Sequence, residues 1–421
     1  MSSANSPKKG TDPLRFQSLD ILRGLIMFVM LFVNDVEGVP GVPAWMKHIH
    51  PSTADGMTFV DMVFPAFLFM VGVAIPFALG GRLARGVPVT EIWRQILLRT
   101  VSLLIIGVFM VNGETISPHG LVSPALWGVL VYGGVYLLWT TVPPTVAGGR
   151  LPPAALRWIG IVLLITAAWV YRGNDATGIL QMRPQWWGIL GLIGWAYLGG
   201  CAVYMLCRNN LPGVVGSIAL MYCIAIAESV GGLRAPGWLH WLTTWISPGT
   251  VFGSQTGITV AGVALGMALA PGSSLTTPGA RVRWAFLFGL CLAAAGFLLH
   301  TAHHLSPVFI YNKNAATPPW CLISSAVTTW LWCGAYILWD SPAGMPGTSV
   351  LASIGRNVLL AYLLAPLFYL FFDLLAATGM PHFYNLLGQT FVVGVCRSLT
   401  FAFLVLWSAY LLNRRGIHLK L

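Results

Sequence analysis

Apolar runs of bilayer length follow one another through the whole chain, and nothing constrains its fold more. They can be placed at 18–36, 58–80, 95–112, 121–140, 154–171, 187–207, 212–230, 253–270, 284–304, 319–339, 350–373 and 389–412. Each is near the roughly 20 residues a helix needs to cross the hydrocarbon core. With 57% hydrophobic and 8% charged residues, the 421-residue chain is more apolar than a soluble protein, whose apolar share is about one half. Only helices and closed barrels satisfy their backbone inside lipid, and the alternating strands a barrel requires are missing. The expectation is an all-α integral membrane protein, a polytopic bundle of about twelve helices, or ten if a weaker pair between 121 and 230 is re-entrant.

Charge sets the expected orientation. Lys47, Arg172, Arg183, Arg234 and Lys313 fall in one set of loops and Arg397 within a helix, while all other Lys and Arg fall on the opposite side. The positive-inside bias then predicts both termini in the cytoplasm and accounts for the formal +11 charge without nucleic acid as a partner. Residues 1–14 are a polar N-terminal segment, 15–412 a single transmembrane domain and 413–421 a basic tail; the first apolar run lacks a small-residue cleavage site and is expected to be retained. The natural location is the cytoplasmic membrane. Seven cysteines lie in or beside apolar runs with no CxxC pair, so neither disulfides nor a metal is expected.

Ionisable groups within membrane helices cost roughly 2.5–3.5 kcal/mol each and so mark function or pairing. They concentrate between Arg15 and Pro76. Asp20 and Arg23, one turn apart, suit a structural ion pair. Asn34 and Asp35 end the first helix, while Asp55, Thr58 and Asp61 flank the start of the second, where carboxylates also favour the helix dipole. His48 and His50 lie in the loop between, placed to move a proton with a carboxylate nearby. His300, His303 and His304 share a helical face near the loop YNKNAATPPW, whose Lys313 sits between Asn312 and Asn314.

The stretches RFQSLDILRG, VND, WMKH, DGMTFVDMVFPAFLFMVGVAIPF, YNKNAATPPW and IGRNVLLAY occur in this order from residue 15 to about 366. Together they resemble the heparan-alpha-glucosaminide N-acetyltransferase family and its bacterial relatives. The resemblance implies transfer of an acetyl group from cytoplasmic acetyl-CoA through the bundle to a glucosamine-type amine, or an envelope glycan, on the far side. It implies an active-site histidine at His48, with His50 as the alternative because IHPSTADG is longer than the family's loop and lacks its Trp. The family asparagine maps to Asn34. A base and oxyanion donors are what acetyl transfer needs; His48 or His50 with Asp61 suit the first, Asn34 and Lys313 the second. His48 can alternatively carry the acetyl group itself. Asp35, Asp55, Asn312, Lys313 and Asn357 are candidates for binding substrate, and Arg82, Arg85, Arg94 and Arg281 for the phosphates of CoA. The animal enzymes' lysosomal processing is not expected to carry over. A homodimer is allowed, and the competing expectation is a transporter or flippase for a sugar or lipid intermediate.

Overall fold

The computed structural model describes residues 16–49, 51–141, 152–173, 182–186, 188–233, 246–341, 345 and 349–421. It is an α-helical bundle. The helices are α1 (Gln17–Val36), α2 (Val63–Ala84), α3 (Val89–Gly113), α4 (Pro124–Trp139), α5 (Pro153–Val170), α6 (Ile189–Cys207), α7 (Leu211–Ser229), α8 (Thr256–Leu269), α9 (Pro278–His300), α10 (Pro318–Trp339), α11 (Ser349–Gly355), α12 (Val358–Ala377), α13 (Phe383–Leu386) and α14 (Phe391–Arg414). A π-helical turn, Gly249–Gln255, leads into α8. Among the described residues, ten helical segments are long and apolar enough to cross a membrane. α1 also has the length, but carries Asp20, Arg23 and Asp35, and α4 is a shorter apolar helix of 16 residues. The protein is a multi-pass membrane protein. The N-terminal segment 1–14 and His50 lie outside the described residues.

Local chemistry sets the helix starts. Proline is the first residue of α4, α5, α9 and α10 and the second of α7, where its missing N–H costs nothing. The side chains of Ser123, Asn210 and Thr277 accept the first free amides of α4, α7 and α9. α1 has no such residue of its own. Both carboxylate oxygens of Asp340, at the end of α10, instead accept its first amides, Gln17 N and Ser18 N, at 2.9 Å each.

The run expected as one helix over 350–373 is broken in two. Asn357 leaves helical geometry between α11 and α12, and the carbonyl of Ser353, freed by the break, accepts the Asn413 amide of α14 at 3.1 Å. Asn413 Oδ1 in turn accepts Asn357 Nδ2 at 2.8 Å. Asn357, expected to bind substrate, thus holds the break together. Beyond α14 the chain turns back, and β2 (His418–Leu419) pairs antiparallel with β1 (Thr140–Thr141).

Two crossings fix α1 and α2, the helices that carry the site. Small residues let helices approach backbone to backbone. A Cβ on Gly72 of α2 would lie 1.9 Å from the Thr259 carbonyl of α8, and one on Gly262 would lie 2.0 Å from that of Phe69. A Cβ on Gly355 of α11 would likewise lie 1.8 Å from the Asp20 carbonyl of α1.

The C-terminal end of α1 is locked differently. Asp35 is buried and accepts from Tyr369 Oη at 2.8 Å, Ser398 Oγ at 2.5 Å and Tyr384 Oη, and pairs with Arg397 Nη2 at 3.2 Å. The Arg397 guanidinium also lies 4.3 Å from the centre of the Tyr384 ring. These partners come from α12, α13 and α14, so Asp35, expected at the substrate, is instead the anchor between α1 and the last helices.

Two stability outcomes follow from these contacts. Gly72→Val should destabilise the detergent-solubilised protein by about 3 kcal/mol or more, the upper end of overpacking costs, because backbone and not a flexible side chain blocks the new methyls. A melting temperature within a degree of wild type would refute the close crossing. Asp35→Asn should cost about 3–5 kcal/mol by leaving Arg397 buried without its counter-charge. Adding Arg397→Met should then recover part of the loss, and a double variant no more stable than Asp35→Asn would count against the pair.

Candidate active site

His48 is held between the C-terminal end of α1 and the N-terminal end of α2 by groups from three segments. Its Nδ1 lies 2.7 Å from Asp61 Oδ1. Asp61 is buried, at the very start of the apolar run that becomes α2, and its second oxygen accepts the amide of Thr58 at 3.0 Å. A carboxylate only accepts, so Nδ1 carries the proton and donates it, which leaves the Nε2 lone pair open. Thr58 Oγ1 donates to the Lys47 carbonyl at 2.9 Å, fastening the residue before His48 to the same turn. The DGMTFVD pattern therefore does two jobs: it starts a helix and it orients an imidazole.

Lys313 Nζ lies 3.0 Å from His48 Nδ1 and 3.2 Å from Nε2. An atom this close to both nitrogens and in the ring plane would collide with the carbon between them, so the ammonium sits over the ring face. Burial lowers the Lys313 pKa, opposed by the nearby carboxylates of Asp61 and Glu37, with the net shift downward. Glu37 Oε2 faces His48 Nε2 at 3.7 Å. Glu37 was not singled out from the sequence, where it reads as a loop residue beside Gly38.

The Asn-Lys-Asn order of the 312–314 loop has a structural cause. Asn312 Nδ2 donates to the carbonyls of Pro51 and Ala54 at 2.9 and 2.8 Å, and its Oδ1 accepts the Ala315 amide at 2.9 Å. Asn314 Nδ2 donates to the Ile49 carbonyl at 3.1 Å. The two asparagines staple the loop after His48, and the lysine between them reaches over the ring. Asp55 completes the staple, accepting the Tyr311 amide and facing His300 Nε2, both at 2.8 Å. His300 stacks on Tyr311, ring centres 4.0 Å apart. Burial opposes these bonds, but together they hold the Asp55 carboxyl below its ordinary range. Asn312 and Asp55, expected at substrate, thus have their polar atoms engaged in the loop itself.

Two cavities lie beside this site and share wall residues. One, of about 310 Å³, is lined by Asn34, His48, Lys313, Asn314, Gln255 and Trp320 among others. The second, of about 270 Å³, runs along α2 toward the end of the bundle where α1 begins and is lined by Arg23, Arg99, Arg356, Tyr197, Tyr362 and Leu421 among others. Met30 and Ile189 line both.

The arginines of the second cavity are not those picked from the sequence. Arg82, Arg85, Arg94 and Arg281 line neither cavity. Arg94 is bound through Nε and Nη2 to Glu91 at 2.7 and 2.9 Å on the surface. Arg281 donates to the Leu275 carbonyl and to Tyr336 Oη, and lies over the Phe16 ring. Arg23 lies 3.7 Å from Asp20 and also donates to the Met70 carbonyl at 3.3 Å, so the pair expected as structural borders the cavity as well. Arg99 could have been noticed in the sequence as a cation well inside the α3 run, and Arg356 as the charge at the break.

Residues 15–229 match the family described as "Domain of unknown function (DUF5009)". The chain is also similar to heparan-alpha-glucosaminide N-acetyltransferase from Homo sapiens, 32% identical over 227 residues, which is 49% of this chain and 32% of that protein. The same enzyme from Mus musculus is 33% identical over 122 residues, 29% of this chain and 17% of that protein. The chain thus matches less than a third of the length of either relative. With just over half of its residues covered by the family match, and with the transferase likeness beside it, the chain belongs to the DUF5009 family and is a relative of the heparan-alpha-glucosaminide N-acetyltransferases.

Proposed function

We propose that the protein is a transmembrane acetyltransferase that takes its acetyl group from acetyl-CoA on the cytoplasmic side and delivers it to an amino sugar or envelope glycan on the other. The observation that carries this reading is the pair of cavities that share Met30 and Ile189 in their walls, one lined by arginines and the other by His48. From Arg23 to Asn34, α1 rises about 16 Å at 1.5 Å per residue, a span suited to the extended pantetheine arm of CoA. Arg23, Arg99 and Arg356 offer guanidinium groups for the phosphates, which arginine recognises by paired hydrogen bonds. The thioester would then lie between Asn34, His48 and Lys313. The names of the relatives support acetyl transfer and a glucosamine-type acceptor.

In this arrangement His48 Nε2 takes a proton from the attacking amine as its nitrogen adds to the thioester carbonyl. Asp61 stabilises the resulting imidazolium through Nδ1–H. Asn34 Nδ2 and Lys313 Nζ donate to the oxyanion of the tetrahedral intermediate. On collapse the imidazolium returns its proton to the departing CoA thiolate. With no acceptor in place, the same lone pair can attack the thioester itself; the C–S bond breaks, CoA leaves as its thiolate and a transient acetyl-histidine remains. The cytoplasmic membrane is the location this reading requires for access to acetyl-CoA.

One observation favours the transporter alternative. The break between α11 and α12 is the discontinuous-helix device common in transporters. Here it borders the cavity beside Arg356, where an anionic donor accounts for it equally well.

The test is CoA release and acetyl transfer by purified protein with glucosamine as acceptor. His48→Ala should abolish transfer while acetyl-CoA still binds, and His50→Ala should retain it. Asp61→Asn should lower kcat by about 10²–10⁴, the range for a general base and its support. Folded wild-type protein that neither binds nor turns over acetyl-CoA would shift the reading to transport. Lys313→Met should lower kcat by about 10²–10³ if its ammonium serves the oxyanion. Its melting temperature should stay equal or rise, because burial already disfavours the charge: the lowered pKa means that Lys313 costs stability below its folded pKa and that this cost fades as pH rises toward 10.5. A Lys313→Met protein of unchanged kcat would remove the lysine from the mechanism.

A further inference from the structure

Glu37 is the one carboxylate at the open side of the His48 ring among the described residues. It follows the last turn of α1 with helical backbone geometry, φ −57° and ψ −37°, and so stands one turn beyond Asn34, on the same helical face. Asn34 lines the cavity that leads to the arginines, whereas Glu37 lines neither cavity and its side chain is 27% exposed. Asn34 thus faces the donor's cavity, and Glu37 stands one turn beyond it. Glu37 Oε2 and His48 Nε2 are 3.7 Å apart, too far for a hydrogen bond between them. A nitrogen placed between them can reach both at roughly 2.8 Å, the length of a charge-assisted hydrogen bond.

We propose that Glu37 is a specificity-determining residue that receives the acceptor as a protonated primary amine, holding its nitrogen between the carboxylate and His48 Nε2. The inference rests on the acetyltransferase reading and adds to it the group that selects a cationic amine over a neutral hydroxyl. The proton balance accounts for a second base here. An ammonium must lose two protons to become an amide N–H. The first passes to Glu37 and, because that side chain is partly exposed, on to solvent. The second passes to His48 Nε2 as the C–N bond forms, and then to the CoA thiolate as the C–S bond breaks. The sum is ammonium plus acetyl-CoA giving acetamide, CoA thiol and one released proton.

The experiment is calorimetric binding of glucosamine, and of glucose as its neutral counterpart, to the full chain in detergent without donor. Wild type should prefer glucosamine by about tenfold to a hundredfold, the range for a hydrogen bond to a charged group. Glu37→Gln, which keeps the shape, should lose that preference, and Glu37→Asp should keep much of it. A wild type without the preference, or a Glu37→Gln protein that retains it, overturns the proposal. In turnover, Glu37→Gln should raise the KM for glucosamine by the same factor and leave the KM for acetyl-CoA within about twofold. If instead donor hydrolysis without acceptor falls, Glu37 acts by supporting the imidazolium and the proposal fails. Should acetyl-CoA not be turned over by wild type, the acetyltransferase reading fails by itself, and the binding preference still decides the role of Glu37.

Discussion

An ionised carboxylate buried among apolar helices must be matched by donors, and the way Asp61 is matched governs everything around it. Its neighbour in type and depth, Asp35, is enclosed by three hydroxyls and a guanidinium. That arrangement leaves nothing over: it is a closed network that ties α1 to the last helices. Asp61 takes its main partners from a backbone amide and an imidazole. An imidazole has a second nitrogen, so the charge of Asp61 is felt at an atom that remains open to the cavity. Buried networks are costly when half satisfied, and on the proposed reading the acceptor's nitrogen adds to this one on the far side of the ring.

Precision at that atom depends on segments far apart in sequence. The imidazole hangs from a loop with no regular helix of its own beyond the short turn Ala44–Met46. Loops are ordinarily the least precise place to build a site. Here Asn312 and Asn314 hold the carbonyls of Ile49, Pro51 and Ala54 from the opposite loop, and Asp55 joins Tyr311 and His300 on the other side. The staple in turn needs α1 and α2 at fixed depth, which the backbone contacts at Gly72, Gly262 and Gly355 supply. A chain with few charges thus places its polar groups where each constrains another.

Much of this was legible in the sequence, for identifiable reasons. Every expected apolar run contains a helix, because in lipid an apolar stretch of that length has no other way to satisfy its backbone. The break at Asn357 was not legible, since one polar residue in such a run suits a continuous helix equally well until Asn413 is seen to hold the freed carbonyl. His48, Asn34, Asp61 and Lys313 do converge, and they stood out because they were polar against an apolar background. Asp35 stood out for the same reason and went elsewhere; type and depth do not tell which way a side chain at a helix end points. The arginines were harder still. Topology places many cations on one side of a membrane protein, so the sequence offers more candidates than a cavity can use, and Arg94 and Arg281 are already satisfied by neighbours.

A protein that moves an acyl group across a bilayer must pass a thioester without opening a path for ions. On the proposed reading the apolar side chains that the two cavities share provide that barrier. Met30 and Ile189 are common to both; one is unbranched and adaptable, the other stiff. Apolar side chains at the join offer no ligand to a hydrated ion, while a slim pantetheine arm gains contact from them. On the same reading the charged groups are kept to the two ends, arginines where the donor's phosphates would stop and the His48 cluster where its acetyl group would arrive. The chemistry would then take place at the His48 end with the arginine-lined cavity filled by the donor itself, so that the barrier is complete when the acceptor's proton reaches Nε2.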